Sequence, residues 1–281
     1  MNYRELCQRL TRVYDPGEAR AIVMRLLEER FSLTLADVLC DGIEKLPADR
    51  QQELETLTQR LETGEPIQYV LGKTLFRGRS FVVAPGVLIP RPETEELCAL
   101  VAAAYGAAAN ISLLDIGTGS GCIAVTLALE LPHAAVTAFD VSPSALAIAR
   151  KNATLLNATI SLEEHDILLE ATKEGEEERW DAIVSNPPYI CRQEAKDMDV
   201  NVLDHEPHLA LFVPDDDPLL FYRAIARYGR RTLRSGGRLF LEINPLYASE
   251  LTALLQQEGY DDIQTVNDQF GRKRFVVARG K

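Results

Sequence analysis

Residues 113–121 read LLDIGTGSG, an apolar run that meets three glycines spaced two residues apart. The apolar run predicts a buried strand, and residues 120–130 carry the pattern of a helix. Glycine adopts positive φ and lets a ligand approach the backbone without a Cβ in the way. The N-terminus of the following helix offers free N–H groups to a carboxylate or a phosphate. The segment therefore predicts a ligand-binding strand–turn–helix unit, with a purely structural turn as the alternative.

The spacing of the glycines favours one class of ligand. Dinucleotide-binding turns read Gly-x-Gly-x-x-Gly, whereas Cys122 stands at the sixth position here. Asp115, just before the turn, would repel a pyrophosphate and attract the ammonium group of an amino-acid ligand. Asp140 ends the next predicted strand, where an acid binds two ribose hydroxyls. These features favour S-adenosylmethionine over NAD. Asp166, after the third strand, is either an acceptor for an adenine amino group or a solvated loop acid.

Strand and helix patterns alternate from residue 94 onward. The alternation predicts an α/β fold with a largely parallel sheet covered by helices on both faces. In such a sheet ligands bind beyond the carboxyl ends of the strands. The predicted strands are 111–116, 135–140, 159–163, 181–185, 238–243, 263–266 and 274–278. The predicted helices are 94–105, 120–130, 143–156, 218–233 and 246–258.

The first 74 residues carry helical patterns without a strand-like run. The Asp-Pro-Gly run at 15–17 and Thr34 are helix start signals. We predict a small helical domain over residues 1–74 that contains no catalytic residue. Its predicted helices are 18–30, 34–39 and 49–61.

Residues 75–93 are expected to form a short hairpin with a turn at Gly78, followed by a linker. Pro90 and Pro92 hold this linker extended, and Thr94 is expected to cap the helix that follows. The catalytic domain is then predicted to cover residues 94–281.

Residues 186–189 read NPPY and follow the fourth predicted strand. Two prolines remove two N–H donors, stiffen the chain and leave carbonyl acceptors. Asn186 adds an amide, and Tyr189 adds an aromatic face. We expect the Asn186 amide oxygen and the Pro187 carbonyl to accept the two hydrogens of a planar NH2 group while Tyr189 stacks on its plane. A methyl group would then pass in line from a sulfonium to that nitrogen, with catalysis by proximity and electrostatics.

Over nearly its whole length the chain resembles the protein-(glutamine-N5) methyltransferases that modify class I peptide-chain release factors. The glycine turn and the Asn-Pro-Pro-Tyr motif alone are shared with DNA adenine methyltransferases, so the flanking motifs and their order make the resemblance specific. The motifs are GEPIQY (64–69), IPRPET (89–94), LDIGTGSG (114–121), NPPYI (186–190), EPHLAL (206–211) and DQFGRKR (268–274).

The resemblance implies a Rossmann-like class I methyltransferase domain with a mostly parallel seven-stranded sheet, preceded by a small helical bundle that helps to dock the release factor. It implies methyl transfer from S-adenosylmethionine to the side-chain amide nitrogen, N5, of the glutamine in a Gly-Gly-Gln motif. The catalytic and substrate-binding residues would be Asn186, Pro187, Pro188 and Tyr189, with Arg91 and Glu93 at the entrance. The cofactor-binding residues would be Asp115, Gly117, Thr118, Gly119, Ser120, Gly121, Asp140, Asp166, Ile167 and Asn186.

One segment departs from the family pattern. After the fifth strand the family usually reads Glu-Ile-Gly with a glutamine shortly after, whereas this chain has Glu242-Ile243-Asn244-Pro245. The departure bears on the geometry of the local loop rather than on the reaction. Ile167 also stands where some members carry an aromatic residue near the adenine.

Composition limits the classes of partner. The formal net charge is −12 at pH 7. A protein that binds a phosphate backbone normally carries a basic surface, so this charge disfavours a long nucleic acid as partner. Five scattered cysteines predict neither a disulfide framework nor a zinc site, and His205 and His208 lack a third ligand, so no metal site is predicted. No run is long enough for a membrane span and no signal core follows Met1. We expect a cytoplasmic monomer.

Three alternative functions remain. The first is an N6-adenine nucleic-acid methyltransferase, which would need a basic recognition region. The second is a glutamine methyltransferase that acts on a ribosomal protein, for which a different N-terminal region is expected. The third is a non-catalytic cofactor-binding regulator, which has no need of an amine-orienting Asn186.

Overall fold

The computed structural model describes residues 1–175 and 177–280, and the chain divides into two units. The first unit comprises residues 1–74 and 198–205, and the second comprises residues 75–197 together with those from 206 onward. Residue 281, the end of the predicted catalytic domain, lies outside the described residues.

The first unit is helical, because its start signals and its apolar spacing agree. Pro16 occupies the first turn of the second helix, and Thr34 forms a capping box with Asp37 at the third. Leu10, Leu26, Leu27 and other apolar side chains of these helices form one buried cluster. The helices are α1 (Tyr3–Leu10), α2 (Pro16–Phe31), α3 (Leu35–Leu39), α4 (Ala48–Glu62), α5 (Ile67–Leu71) and α10 (Val200–His205).

A seven-stranded sheet forms the centre of the second unit and confirms the predicted fold class. Its strands are β3 (Ser112–Ile116), β4 (Ala135–Asp140), β5 (Ser161–Glu164), β6 (Trp180–Ser185), β9 (Leu233–Glu242), β10 (Asp261–Asn267) and β11 (Lys273–Arg279). Their order in the sheet is β10-β11-β9-β6-β3-β4-β5, and among these strands β11 alone pairs antiparallel with both neighbours, β10 and β9. The short strands are β1 (Lys73–Phe76), β2 (Arg79–Val82), β7 (Ile190–Cys191) and β8 (Phe212–Val213).

Helices cover both faces of this sheet. Along a strand, neighbouring side chains point to opposite faces, so Leu113 and Leu114 join two different buried clusters. One cluster contains side chains from the helices at 220–232 and 248–257, and the other contains side chains from the helices at 92–105 and 122–130. The helices are α6 (Pro92–Tyr105), α7 (Cys122–Glu130), α8 (Pro143–Leu155), α9 (Ile167–Glu170), α11 (His208–Leu211), α12 (Leu220–Thr232) and α13 (Ala248–Gln257). Residues 192–197 and 245–247 form 3-10 helices.

Two local predictions need correction. The helix predicted from residue 94 begins at Pro92, with Arg91 as its N-cap residue, so Thr94 lies inside the first turn and the prediction that it caps the helix is wrong. Residues 190–217, in which no strand or helix was predicted, contain α10, α11 and a 3-10 helix. These pieces are one or two turns long, too short to show a hydrophobic period.

The parallel strands β3, β4, β5, β6 and β9 all end at the same edge of the sheet. The residues that follow their last positions are therefore close in space, although they are far apart in the sequence. This edge is where a ligand site is expected in a sheet of this kind.

Candidate active site

The glycine turn after β3 has the backbone shape that its sequence predicts. Gly117, Gly119 and Gly121 have φ values of +74°, +54° and +79°, which residues with a Cβ rarely adopt. The N–H groups of Gly117 and Thr118 both donate to the carbonyl of Phe139, at 2.9 and 3.0 Å, so the turn is tied to the end of β4.

The three glycines have different structural roles. Apart from the adjoining residues of the chain, no atom of the described residues lies within 4 Å of a Cβ built on Gly117 or Gly119, and both glycines line a cavity at the sheet edge. A Cβ built on Gly121 would instead lie 3.0 Å from the Cβ of Ala149 in α8. The first two glycines therefore keep the cavity open, and Gly121 permits close packing between α7 and α8.

The side chain of Asp115 stabilises the turn. Its side chain is fully buried, and its Oδ2 accepts hydrogen bonds from Thr118 Oγ1 at 2.6 Å and Ala124 N at 3.2 Å. Burial raises the pKa of Asp115 to about 7. Its Oδ1 has no hydrogen-bond partner among the described residues. Asp115 is also not one of the described residues that line the cavity. Its contact with a ligand ammonium group stays a prediction.

Asp140 lines the cavity at the carboxyl end of β4. Its Oδ2 accepts from Gly119 N at 2.8 Å and its Oδ1 accepts from Ser142 N at 2.9 Å. Burial raises the pKa of Asp140, while these N–H groups act in the opposite direction. Each carboxylate oxygen keeps a further lone pair, so the group can still accept from two hydroxyls.

Asp166 and Ile167 also line the cavity, at the start of α9. Asp166 caps this short helix, because its Oδ1 accepts from Leu168 N at 2.9 Å. His165, which the sequence reasoning did not select, lies in the same lining, and its ring is 4.2 Å from that of Phe139.

The acceptor corner, residues 186–189, follows β6. Ser185 Oγ donates to the carbonyl of Ile116 at 2.7 Å and so joins the ends of β6 and β3. Asn186, Pro187 and Pro188 line the same cavity as the glycine turn. The structure therefore brings the two main predicted motifs together.

The side chains at the two ends of the acceptor corner are fixed by residues that the sequence reasoning did not select. Asn186 Nδ2 donates to Thr94 Oγ1 at 3.2 Å, and Thr94 Oγ1 donates to Glu242 Oε2 at 2.7 Å. The hydroxyl of Tyr189 donates to Glu242 Oε1 at 3.1 Å. Tyr189 lies outside the described lining of the cavity, so its stacking on a substrate stays a prediction.

Arg91 and Glu93, predicted at the entrance, differ in position. Arg91 lines the cavity, and its Nη2 donates to Glu206 Oε1 at 2.6 Å. Glu206 is buried and also accepts from Ile89 N at 3.1 Å, so it ties residues 89–91 to the start of the EPHLAL motif. Glu93 is half-buried and lies outside the described lining.

The residues of this cavity fit S-adenosylmethionine. Ser120 lines the cavity, and its buried Oγ has no hydrogen-bond partner among the described residues, so it can bind a polar ligand group. The open glycines admit a ligand to the backbone, and Asp140 matches two ribose hydroxyls. Fold and site together define a class I S-adenosylmethionine-dependent methyltransferase.

Comparison with known proteins identifies the family. Residues 98–205 match the family described as "Methyltransferase small domain", and residues 3–72 match "PrmC N-terminal domain". The "Release factor glutamine methyltransferase" of Bacteroides thetaiotaomicron is 45% identical over 271 residues, which cover 96% of each chain. The protein of the same name from Flavobacterium psychrophilum is 41% identical over 98% of this chain and 97% of its own. The chain belongs to the release factor glutamine methyltransferase family, and its methyl donor is S-adenosylmethionine.

A solved structure supports the fold. The T. thermophilus 16S rRNA N2 G1207 methyltransferase, in complex with AdoMet and guanosine, matches with a TM-score of 0.55 at 20% identity. The match covers 74% of this chain and 50% of that one. At this identity the likeness shows the fold alone.

The described residues contain neither a membrane-spanning helix nor a cluster of metal ligands. Within residues 1–175 and 177–280, no helix is long and apolar enough to cross a membrane. Over the same ranges, no group of three or more His, Cys, Asp and Glu side chains has the arrangement of a metal site.

Proposed function

We propose that this chain methylates the side-chain amide nitrogen, N5, of the glutamine in the Gly-Gly-Gln motif of class I peptide-chain release factors. The observation that carries the proposal is the acceptor corner, because Asn186, Pro187 and Pro188 line the cavity that the glycine turn also lines. The two release factor glutamine methyltransferases compared above share 41–45% identity with the chain over nearly its full length, including the N-terminal helical unit.

The acceptor corner suits a neutral amide. Asn186 Nδ2 donates to Thr94, so Oδ1 is the end of this amide that can accept from a substrate. Pro187 and Pro188 supply carbonyl oxygens and lack N–H groups, so they do not compete as donors. Asn186 Oδ1 and the Pro187 carbonyl then accept the two hydrogens of the glutamine NH2 and orient its nitrogen toward the glycine turn.

S-adenosylmethionine supplies, when bound, an electrophilic methyl group on a sulfonium. Asn186 and the Pro187 carbonyl hold the amide nitrogen in line with that methyl group, which lowers the entropic cost of the reaction. The cofactor would supply the methyl group of the new N–CH3 bond and leave as a neutral thioether, and the amide nitrogen held by Asn186 and the Pro187 carbonyl would lose one proton to solvent. The two acceptors also favour the positive charge that develops on the nitrogen.

We further propose that the enzyme acts in the cytoplasm as a monomer and does not read a nucleic-acid sequence. The proposed substrate class supports a cytoplasmic location, because release factors act at the ribosome. The net charge of −12 supports the proposal that the enzyme does not read a nucleic-acid sequence, since binding to a phosphate backbone depends on basic residues.

The direct test combines the full-length protein, a purified class I release factor and S-adenosylmethionine with a labelled methyl group. Mass spectrometry of the digested release factor is expected to locate one added methyl on the glutamine of the Gly-Gly-Gln motif. A release factor with that glutamine replaced by alanine is the matched control and should take up none. Methyl transfer to duplex DNA or to ribosomal protein, with the release factor unmodified, would refute the proposal.

A further inference from the structure

Glu242 is a buried carboxyl group that the proposed reaction does not use. It ends β9, its exposed fraction is 1%, and it lies outside the described lining of the cavity. A buried carboxyl group is costly unless its oxygens are hydrogen-bonded. Here both oxygens accept a hydrogen bond, Oε2 from Thr94 and Oε1 from Tyr189.

These bonds reach both ends of the acceptor corner. Tyr189 is the last residue of the corner and bonds Glu242 directly. Asn186 is the first residue and connects to Glu242 through the hydroxyl of Thr94. The two prolines lie between these anchored ends, so one carboxylate fixes the corner from both sides.

The direction of the hydrogen bonds decides which way the Asn186 amide points. A carboxylate has no hydrogen to give, so the hydroxyl hydrogen of Thr94 must point to Glu242. Thr94 Oγ1 is then an acceptor toward Asn186, and only the NH2 end of that amide can meet it. A rotated amide would place two acceptors against each other at Thr94 and offer a donor to a substrate NH2, which is itself a donor.

We propose that Glu242 is a positioning residue that acts through Thr94 and Tyr189 to keep the Asn186 amide oxygen available to the substrate nitrogen. The proposal rests on the proposed function, because it assumes that the accepting group is an NH2. It concerns orientation, so it predicts a loss of turnover with cofactor binding retained.

The charge state of Glu242 supplies a second signature. Burial raises the pKa of Glu242 to about 7, against the effects of its two hydrogen bonds and of Arg274 on β11. The carboxylate, which only accepts, is the form that orients Thr94. As pH falls through about 7, the protonated form gains an O–H donor and the fixed direction is lost. The other ionisable groups that act on Glu242 or bond to it are Glu93, Cys122, Tyr189 and Tyr222.

The test compares Thr94→Val with Thr94→Ser in the full-length protein. Valine keeps the shape of threonine and removes the hydroxyl, whereas serine keeps the hydroxyl. With a class I release factor as substrate, kcat of Thr94→Val is expected to fall on the order of 100-fold, the scale of a misoriented reacting group. Thr94→Ser should stay within about 3-fold of wild type, and the S-adenosylmethionine Kd of both variants should stay within about 2-fold.

Glu242→Gln extends the test. A glutamine amide donates through one end, so one of its two hydroxyl partners loses its acceptor, and kcat should fall by a similar factor. With S-adenosylmethionine saturating, the wild-type kcat is expected to decline as pH falls through about 7, and this decline should be weaker in Glu242→Gln, where Asp115 is left as the buried carboxyl group with a pKa of about 7.

Each result has a distinct meaning. No methylglutamine with the wild-type protein refutes the proposed function. Wild-type turnover in Thr94→Val, or an unchanged acid limb in Glu242→Gln, refutes the positioning role alone. If Glu242→Gln fails to fold, the threonine pair still decides the question.

Discussion

The glycine turn at 117–121 and the acceptor corner at 186–189 contribute to one cavity but are fixed in different ways. The turn is fixed by its own backbone, by Asp115 three residues from Thr118, and by the adjoining end of β4, where Phe139 and Asp140 accept from residues 117–119. The corner is fixed by distant side chains: Asn186 bonds Thr94, 92 residues away, and Thr94 bonds Glu242, 148 residues away. The turn can thus bind a cofactor that many methyltransferases share, while the corner, set by tertiary contacts, is the part that we propose to bind the acceptor.

The sharpest way to separate the two regions is Asn186→Ala. Loss of the amide removes the main acceptor for the substrate nitrogen, so kcat should fall on the order of 1,000-fold, the scale of losing one oriented hydrogen-bonding group. The S-adenosylmethionine Kd, measured by calorimetry, should change less than about 2-fold, because the turn is intact. Asn157→Ala, at an exposed turn, is the control and should keep wild-type kinetics. Full turnover by Asn186→Ala would show that the corner does not bind the acceptor.

The reverse separation comes from Asp140→Ala. Removal of the carboxylate takes away the expected ribose acceptor and two bonds to the backbone, so the cofactor Kd should rise about 10- to 100-fold, as for one or two hydrogen bonds to a charged group. Glu164→Ala is the matched control, since Glu164 pairs with Asp140 in the sheet register and is exposed. An unchanged Kd in Asp140→Ala would remove this residue from the cofactor site.

The same contrast explains what could be predicted. The strand and helix segments from β3 onward and the glycine turn follow from alternating patterns and from glycine positions, which are local signals. Thr94 was expected to be a helix cap, because no pattern in the neighbouring residues signals its contact with the distant Glu242. Glu242 stood inside a segment noted only for its departure from a family pattern. A carboxylate at the end of a buried strand is the one signal that would have pointed to it.

A smaller effect separates the stability cost of disturbed packing at Gly121 from the cost of backbone strain. Gly121→Ala places a methyl group 3.0 Å from the Cβ of Ala149, whereas Gly271 has the same φ of +79° and open space around its Cβ position. Both alanine variants pay the left-handed strain of about 1–2 kcal/mol. Gly121→Ala should lose about 1–3 kcal/mol more, because a packed helix contact must move. Denaturant unfolding measures the difference, and equal losses would mean that α7 and α8 adjust freely.

The smallest expected effect concerns Asn244, where the family usually has glycine. Asn244 Nδ2 donates to the carbonyl of Tyr189 at 3.2 Å and to Glu194 Oε1 at 3.1 Å, and its Oδ1 accepts from Leu246 N at 3.1 Å. These bonds hold the chain just after the acceptor corner. Asn244→Gly should therefore lower the free energy of unfolding by about 1.5 kcal/mol, since three hydrogen bonds are lost and each contributes at least about 0.5 kcal/mol net.

The kinetic part of this prediction bears on the comparison itself. If the corner depends on distant side chains, Asn244→Gly should reduce kcat by about 2- to 5-fold, the equivalent of a fraction of one hydrogen bond, and leave the cofactor Kd unchanged. Asn157→Gly makes the same exchange at an exposed residue with φ of +55°, where glycine relieves strain, and should cost neither stability nor rate. A weaker cofactor Kd in Asn244→Gly would instead mean that the two regions are coupled, so that the corner cannot be altered without disturbing the turn.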